Sequence, residues 1–478
     1  MRTILSIFML VAAAISSYQA QAFCGFYVAN AGAKLFNNKS EVILVRDGNR
    51  TTVTMSNDFK GDAADFAMVV PVPVLLQKND IRVMHRGLFD KLGDYSAPRL
   101  VEYYDENPCF QYTYNLSERS VMPTSADFSM QESVTEDREL GVRIEARYEV
   151  GEYEILILSA NESNGLRTWL TQNGYSIPAQ ANEVLDPYIK SNMKFFVVKV
   201  NLDQFARMNS EYLSPIQITY ESDKFMLPIR LGMANANGPQ DLIVYAITKQ
   251  GRIECTNYRT AKLPTDRNIP LSVQPQFGEF YKALFDKAWK QEGRNTVFLE
   301  YAWDVSPQNP MKCDPCIGPP PIVYDLREAG ATWLTDQNFS SQAFFTRLHV
   351  RYERDKFPQD LNFQVTPNTE RYQCRYVMTH PAQGDMSCEA GQKYLERLQD
   401  RRKLEQQELA ALTGWENQGK RIIGEDRNEF VPIGGASGRS GRNPQSPIGL
   451  GWLLPVAFIV ILTSLTLPEY IRKTRSLA

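Results

Sequence analysis

The chain has 478 residues, of which 43% are hydrophobic and 22% charged, and its formal net charge is −3. A chain of this length and composition can bury large apolar cores and falls in the size range of two or three ordinary domains. The slight acidic excess offers no basic surface to a phosphate backbone, so nucleic-acid binding is excluded as an expected function.

The chain begins with the pattern of a secretory signal peptide. Arg2 precedes an apolar run from Ile4 to Ile15, and the small-residue sequence Ala20-Gln21-Ala22 follows. The run is too short to cross a bilayer, as the apolar part of a signal peptide is. We therefore predict a signal peptide over residues 1–22, with cleavage before Phe23, and an oxidising compartment for the rest of the chain.

Two β-hairpins are predicted where apolar runs flank a glycine turn. The first joins Glu41–Arg46 to Thr51–Met55, and the second joins Arg143–Val150 to Glu152–Leu158. Runs of β-branched and aromatic residues predict further strands, at Asp65–Val72, Phe195–Val200, Gln217–Tyr220, Leu242–Ala246, Thr296–Ala302 and Phe344–Tyr352.

Helical spacing of apolar residues appears between these strands. Leu166, Trp169 and Leu170 share one face of a predicted helix, and Phe277–Lys290 carries aromatic residues three and four positions apart. These patterns predict an α+β fold that is strand-dominated, with mostly antiparallel sheets and packed amphipathic helices. We divide it into an N-terminal α+β domain over residues 23–250 and a second α+β part over residues 251–388.

The C-terminal region changes character three times. Residues 389–433 begin with a charged helix, for which packing on the protein is favoured over a coiled-coil dimer. Residues 434–447 are rich in Gly and Ser and predict a flexible stalk. Residues 448–467 are uncharged and long enough for a transmembrane helix, and the basic tail 468–478 is expected to remain cytoplasmic.

Seven cysteines follow the predicted cleavage site, and this odd number leaves at least one of them unpaired within the chain. They are Cys24, Cys109, Cys255, Cys313, Cys316, Cys374 and Cys388. Cys374 and Cys388 are close enough in sequence to close a local loop, so they are a candidate structural disulfide. The other pairings stay open.

Cys313 and Cys316 form the most specific local motif, Lys312-Cys-Asp-Pro-Cys316. A CxxC pair can exchange disulfides or, with a second such pair, bind zinc, and no second pair is present. Gly318 and three prolines follow at once, which disfavours the helix that usually begins at a redox CxxC. A structural disulfide is favoured, and a redox role remains the alternative.

The histidines His85, His349 and His380 show no spacing typical of a metal site, and we predict neither a metal nor a cofactor. His349 is interpreted as a structural histidine within a strand. We find no serine nucleophile elbow, phosphate loop or dinucleotide motif, and no catalytic residue is assigned.

Carboxylates and tyrosines cluster near residue 105. Glu102, Asp105 and Glu106 are candidates for acid–base chemistry, but clustered surface carboxylates are common. The neighbouring tyrosines could form a sugar- or peptide-binding face, although ordinary strand positions are favoured. These tyrosines are Tyr103, Tyr104, Tyr112 and Tyr114.

Several segments together resemble a known family. They are Phe66-Ala-Met-Val-Val-Pro-Val-Pro73, Leu166-x-x-Trp-Leu170 with Gly174-Tyr-x-Ile-Pro178, Lys312-Cys-Asp-Pro-Cys316, and Thr346-Arg-Leu-His-Val-Arg-Tyr352. In this order they are similar to the bacterial family DUF2330, a domain of unknown function, over most of residues 23–390. The resemblance implies an exported bacterial protein, often with a C-terminal membrane segment, and implies no activity, cofactor or site.

We therefore expect a single-pass protein of the bacterial inner membrane, with its ectodomain in the periplasm or outside. The C-terminal helix would contact membrane lipid, and the ectodomain would bind or organise an unknown envelope protein or polymer without catalysis. A thiol–disulfide redox protein using Cys313 and Cys316 is the first alternative. A hydrolase with an unrecognised carboxylate site is the second, because folding and not spacing assembles such sites.

Overall fold

A computed structural model describes residues 40–56, 67–109, 142–173, 181–208, 213–234, 238–335 and 340–415, and the short strands 26–27, 36–37, 59–60 and 138–139. The predicted signal peptide, stalk, transmembrane helix and tail lie outside these ranges, as do residues 416–433. Within the described ranges, no helix combines the length and the apolar composition needed to cross a membrane.

Helices are short except for the last one. They are α1 (Gly87–Ser96), α2 (Ser163–Gln172), α3 (Ala181–Lys190), α4 (Leu202–Met208), α5 (Phe277–Gln291), α6 (Val323–Glu328) and α7 (Glu389–Thr413). Turns of 3₁₀-helix occupy Lys78–Asp80, Gly232–Ala234 and Leu271–Gln276.

Strands make up most of the regular structure. They are β1 (Phe26–Tyr27), β2 (Phe36–Asn37), β3 (Ser40–Asp47), β4 (Arg50–Ser56), β5 (Phe59–Lys60), β6 (Ala67–Val72), β7 (Ile81–Val83), β8 (Arg99–Tyr104), β9 (Arg138–Glu139), β10 (Val142–Val150), β11 (Tyr153–Ala160), β12 (Lys194–Val200), β13 (Ile216–Glu221), β14 (Met226–Leu227), β15 (Gln240–Thr248), β16 (Ile253–Cys255), β17 (Arg259–Lys262), β18 (Arg267–Asn268), β19 (Thr296–Asp304), β20 (Phe344–Tyr352), β21 (Leu361–Val365), β22 (Tyr372–Gln373) and β23 (Arg375–His380).

Two large sheets organise these strands. One has nine strands, in the order β17-β19-β20-β15-β3-β4-β13-β7 with β22 beside β19, and the other has six, in the order β1-β6-β12-β11-β10-β9. Most neighbours are antiparallel, while β3 with β15 and β17 with β19 run parallel. The predicted strand-rich α+β fold with mostly antiparallel sheets is therefore confirmed.

Both predicted hairpins are present, and a glycine with positive φ lies at each turn. Gly48 joins β3 to β4 with φ of +58°, and Gly151 joins β10 to β11 with φ of +57°. Glycine has no Cβ atom to clash in this left-handed conformation, so the turn residue specifies each hairpin.

The apolar faces of the two large sheets share one core. Val70, Ile155 and Phe196 come from the six-stranded sheet, and Leu44 and Val244 come from the nine-stranded sheet. The outer faces of both sheets are also buried, under helices. Central strands therefore have almost uninterrupted apolar sequences, the pattern expected for strands covered on both sides.

Helices α2 and α3 cover the outer face of the six-stranded sheet. Trp169 of α2 and Leu185 of α3 pack in one cluster with Leu156, Phe195 and Val197. The apolar spacing that predicts a helix around Leu166 thus reflects this packing surface, because residues three and four apart share a helix face.

Helix α1 covers part of the outer face of the nine-stranded sheet. Phe89 and Tyr95 of α1 pack with Tyr245 and Tyr301 of the sheet, and Cys313 joins the same cluster. The loop that carries Cys313 is thus part of the layer on this face.

Strands from both sides of residue 250 are interleaved in the nine-stranded sheet. Strand β15 lies between β3 and β20, with which it forms parallel and antiparallel ladders. All described residues belong to one compact unit that ends at Lys420. The predicted parts 23–250 and 251–388 are therefore joined through a common sheet.

The charged C-terminal segment forms a helix over Glu389–Thr413 and ends at Gly414, whose φ is +81°. Leu398, Leu409 and Leu412 are buried, and the last two pack in the main core. This arrangement agrees with the predicted packing helix, since its sparse leucines face the protein that carries them.

Candidate functional site

The candidate site is the loop between β19 and α6, residues 305–322, which we call the disulfide loop. Cys313 and Cys316 form a disulfide within it, with Cα atoms 5.0 Å apart. The following prolines lead to α6, which begins only at Val323. The prediction that no helix begins at the CxxC motif is confirmed.

Aromatic side chains hold the first half of the disulfide loop. The Tyr301 hydroxyl donates to the Lys312 carbonyl oxygen at 3.2 Å, and the Tyr95 hydroxyl donates to the same oxygen. The Trp303 indole N–H donates to the Met311 carbonyl oxygen at 2.7 Å. These donors come from β19 and α1, so two packed elements position the backbone just before Cys313.

Arginines from the small sheet β18-β23-β8 hold the disulfide turn itself. Arg99 donates to the Pro315 carbonyl oxygen at 2.9 Å, and Arg375 donates to the Asp314 carbonyl oxygen at 3.0 Å. Arg99 and Arg375 are paired across the parallel strands β8 and β23. Both arginines thus face the two residues that separate the cysteines.

The two cysteines of this disulfide differ in accessibility. Cys313 is 7% exposed and belongs to the core cluster, whereas Cys316 is exposed. Cys316 is therefore the more accessible of the two cysteines to a reactant in solvent. Spacing alone cannot indicate which cysteine of the pair faces solvent.

Arg99 is only 1% exposed, and its partners are all neutral. They are the carbonyl oxygens of Pro315, Ala97 and Tyr95, and the ring of Tyr301, whose centroid is 5.2 Å away. No carboxylate among the described side chains forms an ion pair with it. Burial lowers the pKa of this guanidinium, as expected for a buried charge that has no carboxylate partner. Sequence reasoning missed Arg99, because an arginine at the start of a strand carries no signal of burial.

Large apolar side chains are exposed around the disulfide. We call them the apolar rim; they are 49–58% exposed and consist of Met311, Ile317, Ile322 and Tyr324. They account for four of the nine exposed large apolar side chains in the described part of the chain. This concentration on the disulfide loop and the first turn of α6 is unusual, because such residues are normally scattered singly over a surface.

The predicted disulfide between Cys374 and Cys388 is wrong. Cys388 bonds instead to Cys109, which is 279 residues away in sequence. Cys374 is a free, buried thiol between β22 and β23. The pairing of Cys109 with Cys388 has a topological reason. Strands β8 and β23 run side by side, so Cys109, which follows β8, lies close to Cys388, which follows β23 and precedes α7.

The free thiols are poor candidates for chemistry. Burial raises the pKa of Cys255 and, more strongly, that of Cys374. Because the thiolate is the nucleophile, a raised pKa makes a cysteine less reactive. Cys255 and Cys374 are therefore interpreted as structural. Among the described cysteines, Cys313 and Cys316 of the disulfide loop are the candidates for chemistry.

A buried charge network crosses the nine-stranded sheet. Glu300 accepts from Arg347 at 2.5 Å and contacts Nδ1 of His349 at 2.7 Å. Nε2 of His349 lies 3.0 Å from Asp241, which also accepts from Arg351 at 2.8 Å. Each charge has an opposite partner, so the network is closed and supports the interpretation of His349 as structural.

Charge pairing controls the pKa values in this network. Burial alone would raise the pKa of Glu300, but Arg347 and His349 outweigh it and lower the value to about 2. Burial opposes protonation of His349, yet Glu300 and Asp241 outweigh it and raise its pKa. The protonated ring is therefore the form that the fold stabilises.

The acidic cluster near residue 105 is divided among separate partners. Glu102 contacts Nε2 of His380 at 2.7 Å, and the His380 ring stacks on Tyr104 at 4.4 Å. Asp105 instead forms an ion pair with Arg401 of α7 at 2.8 Å. The two carboxylates thus do not form a shared acid–base pair. Tyr103 and Tyr104 are exposed, whereas Tyr112 and Tyr114 lie outside the described residues.

Possible metal ligands are not grouped in the described ranges. No set of three or more His, Cys, Asp or Glu residues there has the geometry of a metal site. His85 is exposed just before α1, far in sequence from the other two histidines.

The fold and the site define a two-sheet α+β protein that presents a rigidly held disulfide loop on its surface. The chain belongs to the family DUF2330, described as an uncharacterized protein conserved in bacteria, whose model matches residues 18–364. The resemblance inferred from sequence is thus confirmed, and the matched range includes the whole disulfide loop. No curated protein and no solved structure matches the chain.

Proposed function

We propose that this protein is an exported, membrane-anchored binding protein of the bacterial envelope, and that the disulfide loop contacts its partner. The observation that carries the proposal is the apolar rim, exposed on a loop whose backbone is held on both sides of the disulfide. The proposed partner is another envelope protein with an apolar surface segment.

Rigidity supports a binding role for this loop. Tyr95, Tyr301, Arg99 and Arg375 all bond to its backbone, so little conformational freedom remains to be lost on association. Each rim side chain that a partner covers contributes roughly 25 cal/mol per Å² of apolar area removed from water. A preorganised apolar surface is thus well suited to specific contact.

Site-specific photocrosslinking in whole cells tests the binding role. We expect a photoreactive residue at Ile322 to yield a discrete crosslinked product, and one at Leu404, which is even more exposed on α7, to yield none. Ile317→Asp should abolish the Ile322 product, whereas Leu75→Asp should leave it unchanged. Equal crosslinking from Ile322 and Leu404, or indifference to Ile317→Asp, would contradict the proposal.

The membrane anchor is a proposal based on the sequence. The signal peptide over residues 1–22 and the helix over 448–467 would place the ectodomain in the periplasm and the basic tail in the cytoplasm. A chain ending at residue 447 should be recovered in the soluble periplasmic fraction, while the full chain stays with the inner membrane. Retention of the shortened chain in the membrane would refute this anchor.

The alternatives differ in their support. A carboxylate hydrolase gains nothing from Glu102 and Asp105, which contact different side chains, His380 and Arg401. Thiol–disulfide exchange at Cys313 and Cys316 is favoured by a specific observation, the exposure of Cys316.

A further inference from the structure

We propose that the Cys313–Cys316 disulfide accepts electrons from a pair of cysteine thiols in a polypeptide that binds at the disulfide loop. Cys316 is the sulfur attacked, and Cys313 is the leaving group. The inference rests on the proposed binding function for its docking surface, and on two observations for its chemistry: a disulfide between an exposed and a buried cysteine, and a buried cation whose guanidinium bonds to the backbone of the loop.

The first observation is the asymmetry of the disulfide. Cys316 is an exposed residue, while Cys313 is packed with Tyr95 and Tyr301. The second disulfide of the chain offers a comparison, because Cys109 and Cys388 are both half-buried and join elements distant in sequence. Exchange depends on access to the sulfur attacked, so the exposed local disulfide is the reactive one.

The exchange step balances without any further reagent. A thiolate of the polypeptide attacks Sγ of Cys316, a new bond forms between these sulfurs, and the Cys313–Cys316 bond breaks with its electron pair on Sγ of Cys313. The second thiolate of the polypeptide then attacks its own bonded sulfur and releases Cys316 as a thiolate. The polypeptide is oxidised to a disulfide, and Cys313 and Cys316 are reduced.

Arg99 makes Cys313 the better leaving group. Its guanidinium is buried and has only neutral partners. It donates to the carbonyl oxygen of Pro315, one of the two residues between the cysteines. A buried cation without a carboxylate partner is stabilised by an anion close to it, and we assign that role to a new Cys313 thiolate because Arg99 bonds to Pro315, two residues along the chain. Stabilising this thiolate favours the reduced pair and so makes the disulfide a stronger oxidant.

The substrate class follows from the surroundings of Cys316. Ile317 is 58% exposed directly beside it, and the rest of the apolar rim lies on the same loop and the first turn of α6. A cysteine flanked by apolar residues in an extended segment fits this surface better than a small charged thiol does. Reduced glutathione should therefore react more slowly than such a dithiol peptide.

The first test uses the purified full-length protein in detergent and a reduced synthetic peptide with two cysteines and apolar flanks. After acid quenching, mass spectrometry should show one peptide disulfide for each Cys313–Cys316 bond lost, with Cys109–Cys388 intact. Reaction at equal rates at both disulfides, or no reduction of Cys313–Cys316 in the folded protein, would overturn the proposal.

The order of attack is tested with single-cysteine variants and a peptide that carries a thionitrobenzoate mixed disulfide. Cys313→Ser leaves the exposed Cys316 and should release thionitrobenzoate at least tenfold faster than Cys316→Ser. A variant lacking both cysteines measures the contribution of the remaining thiols. Equal rates in the two single variants would refute the assignment of Cys316 as the sulfur attacked.

The role of Arg99 is tested through the reduction equilibrium with glutathione. Arg99→Met should shift this equilibrium toward the disulfide at least fivefold, whereas Arg99→Lys, which keeps the charge, should stay within twofold of the original protein. Unchanged equilibria in both variants would exclude the electrostatic role. If Arg99→Met does not fold, the thionitrobenzoate assay still decides the proposal.

These assays separate the two proposals. If the peptide is not oxidised but crosslinking at Ile322 persists, binding stands and exchange fails. If the peptide is oxidised while no crosslinked product forms, exchange stands and the proposed docking of an envelope protein fails.

Discussion

Individual buried charges in this protein differ in how they are compensated. Glu300 and His349 each contact two oppositely charged groups, whereas Arg99 contacts only neutral oxygens and a ring. In the arrangement of Glu300 and His349, each charge is balanced by its partners, so these residues are interpreted as structural. The arrangement of Arg99 leaves an uncompensated charge bonded to the disulfide loop, which is why Arg99 and not His349 is assigned a part in chemistry.

Glu300→Gln should be strongly destabilising. The substitution leaves the buried Arg347 with no counter-charge and leaves His349 with Asp241 alone, and breaking a buried pair in this way costs about 3–5 kcal/mol. Chemical denaturation at pH 7 measures the change in the free energy of unfolding. Glu389→Gln removes only the exposed pair with Lys393 and should change it little, so an equal effect would contradict the argument.

The pKa values predict a pH dependence of stability. His349 has a raised pKa, so its contribution is complete below about pH 6.5, its unfolded value, and is lost as pH rises through the folded value. Glu300 has a lowered pKa of about 2, so its contribution is complete above about pH 4.3, its unfolded value, and is lost as pH falls toward 2.

The variant His349→Gln, which lacks the imidazole, tests the predicted loss of stability at high pH. The free energy of unfolding of the original protein, minus that of His349→Gln, should decrease as pH rises above about 6.5, the ordinary histidine pKa. Urea denaturation at a series of pH values measures this difference. A difference that stays constant or grows on the alkaline side would show that the protonated ring is not stabilised.

At the scale of elements, α7 is held to the fold at both ends. Its N-terminal residue follows Cys388, which is bonded to Cys109, and near its C-terminal end Leu409 and Leu412 pack in the main core. Lys287 of α5 also donates to the Ala411 carbonyl oxygen. Because α7 is the last described element before the predicted stalk, these contacts connect the sheets to the proposed anchor.

The Cys109–Cys388 disulfide should contribute substantially to stability. It joins residues 279 apart, and removing a cross-link of this kind typically costs about 2–5 kcal/mol by increasing the freedom of the unfolded chain. We expect Cys388→Ser to lower the free energy of unfolding in that range. A disulfide map of the original protein should show Cys109–Cys388 with Cys374 free, and a Cys374–Cys388 bond in its place would restore the local pairing first predicted.

The packing of α7 can be tested on its leucines. Leu409→Ala should destabilise the protein by about 2–5 kcal/mol, because it leaves a cavity in the main core. Leu404→Ala, on the exposed side of the same helix, should be nearly neutral in the same denaturation experiment. If the two variants were equally harmful, α7 would instead bury both faces, as in a dimer.

For the whole molecule, the compact fold extends beyond the range of the family match. The match ends at residue 364, yet Tyr376 and Met378 of β23 are fully buried in the core that both large sheets share. Residues 365–415 are therefore part of the same cooperative structure.

A chain ending at residue 364 should not fold to the native state. It would lose β22, β23 and α7, and would expose the apolar surface that they cover, whereas a chain ending at residue 420 retains the whole compact unit. Limited proteolysis and circular dichroism distinguish the two. Equal protease resistance of both chains would show that residues 365–420 are dispensable for folding.

Local patterns predicted the two hairpins, the long strands and the helices α2, α5 and α7, but not α1, α3, β8 or β23. Particular residues illustrate the physical reasons for the successes. Gly48 and Gly151 specify tight turns through their own conformational freedom, and Trp169 and Leu170 mark a helix face through local spacing. The family resemblance likewise rested on contiguous segments. Each of these features depends on residues that are neighbours in the chain.

The sequence by itself determined the α+β class, the hairpins, the packing helices and the absence of a helix at the CxxC motif, because short-range sterics and periodicity control them. Only the tertiary structure decided that Cys388 pairs with Cys109, that Cys316 is the exposed cysteine of its pair and that Arg99 is buried and bonds to the disulfide loop. These facts depend on which distant strands become neighbours, as β8 and β23 do, and no local pattern records that pairing.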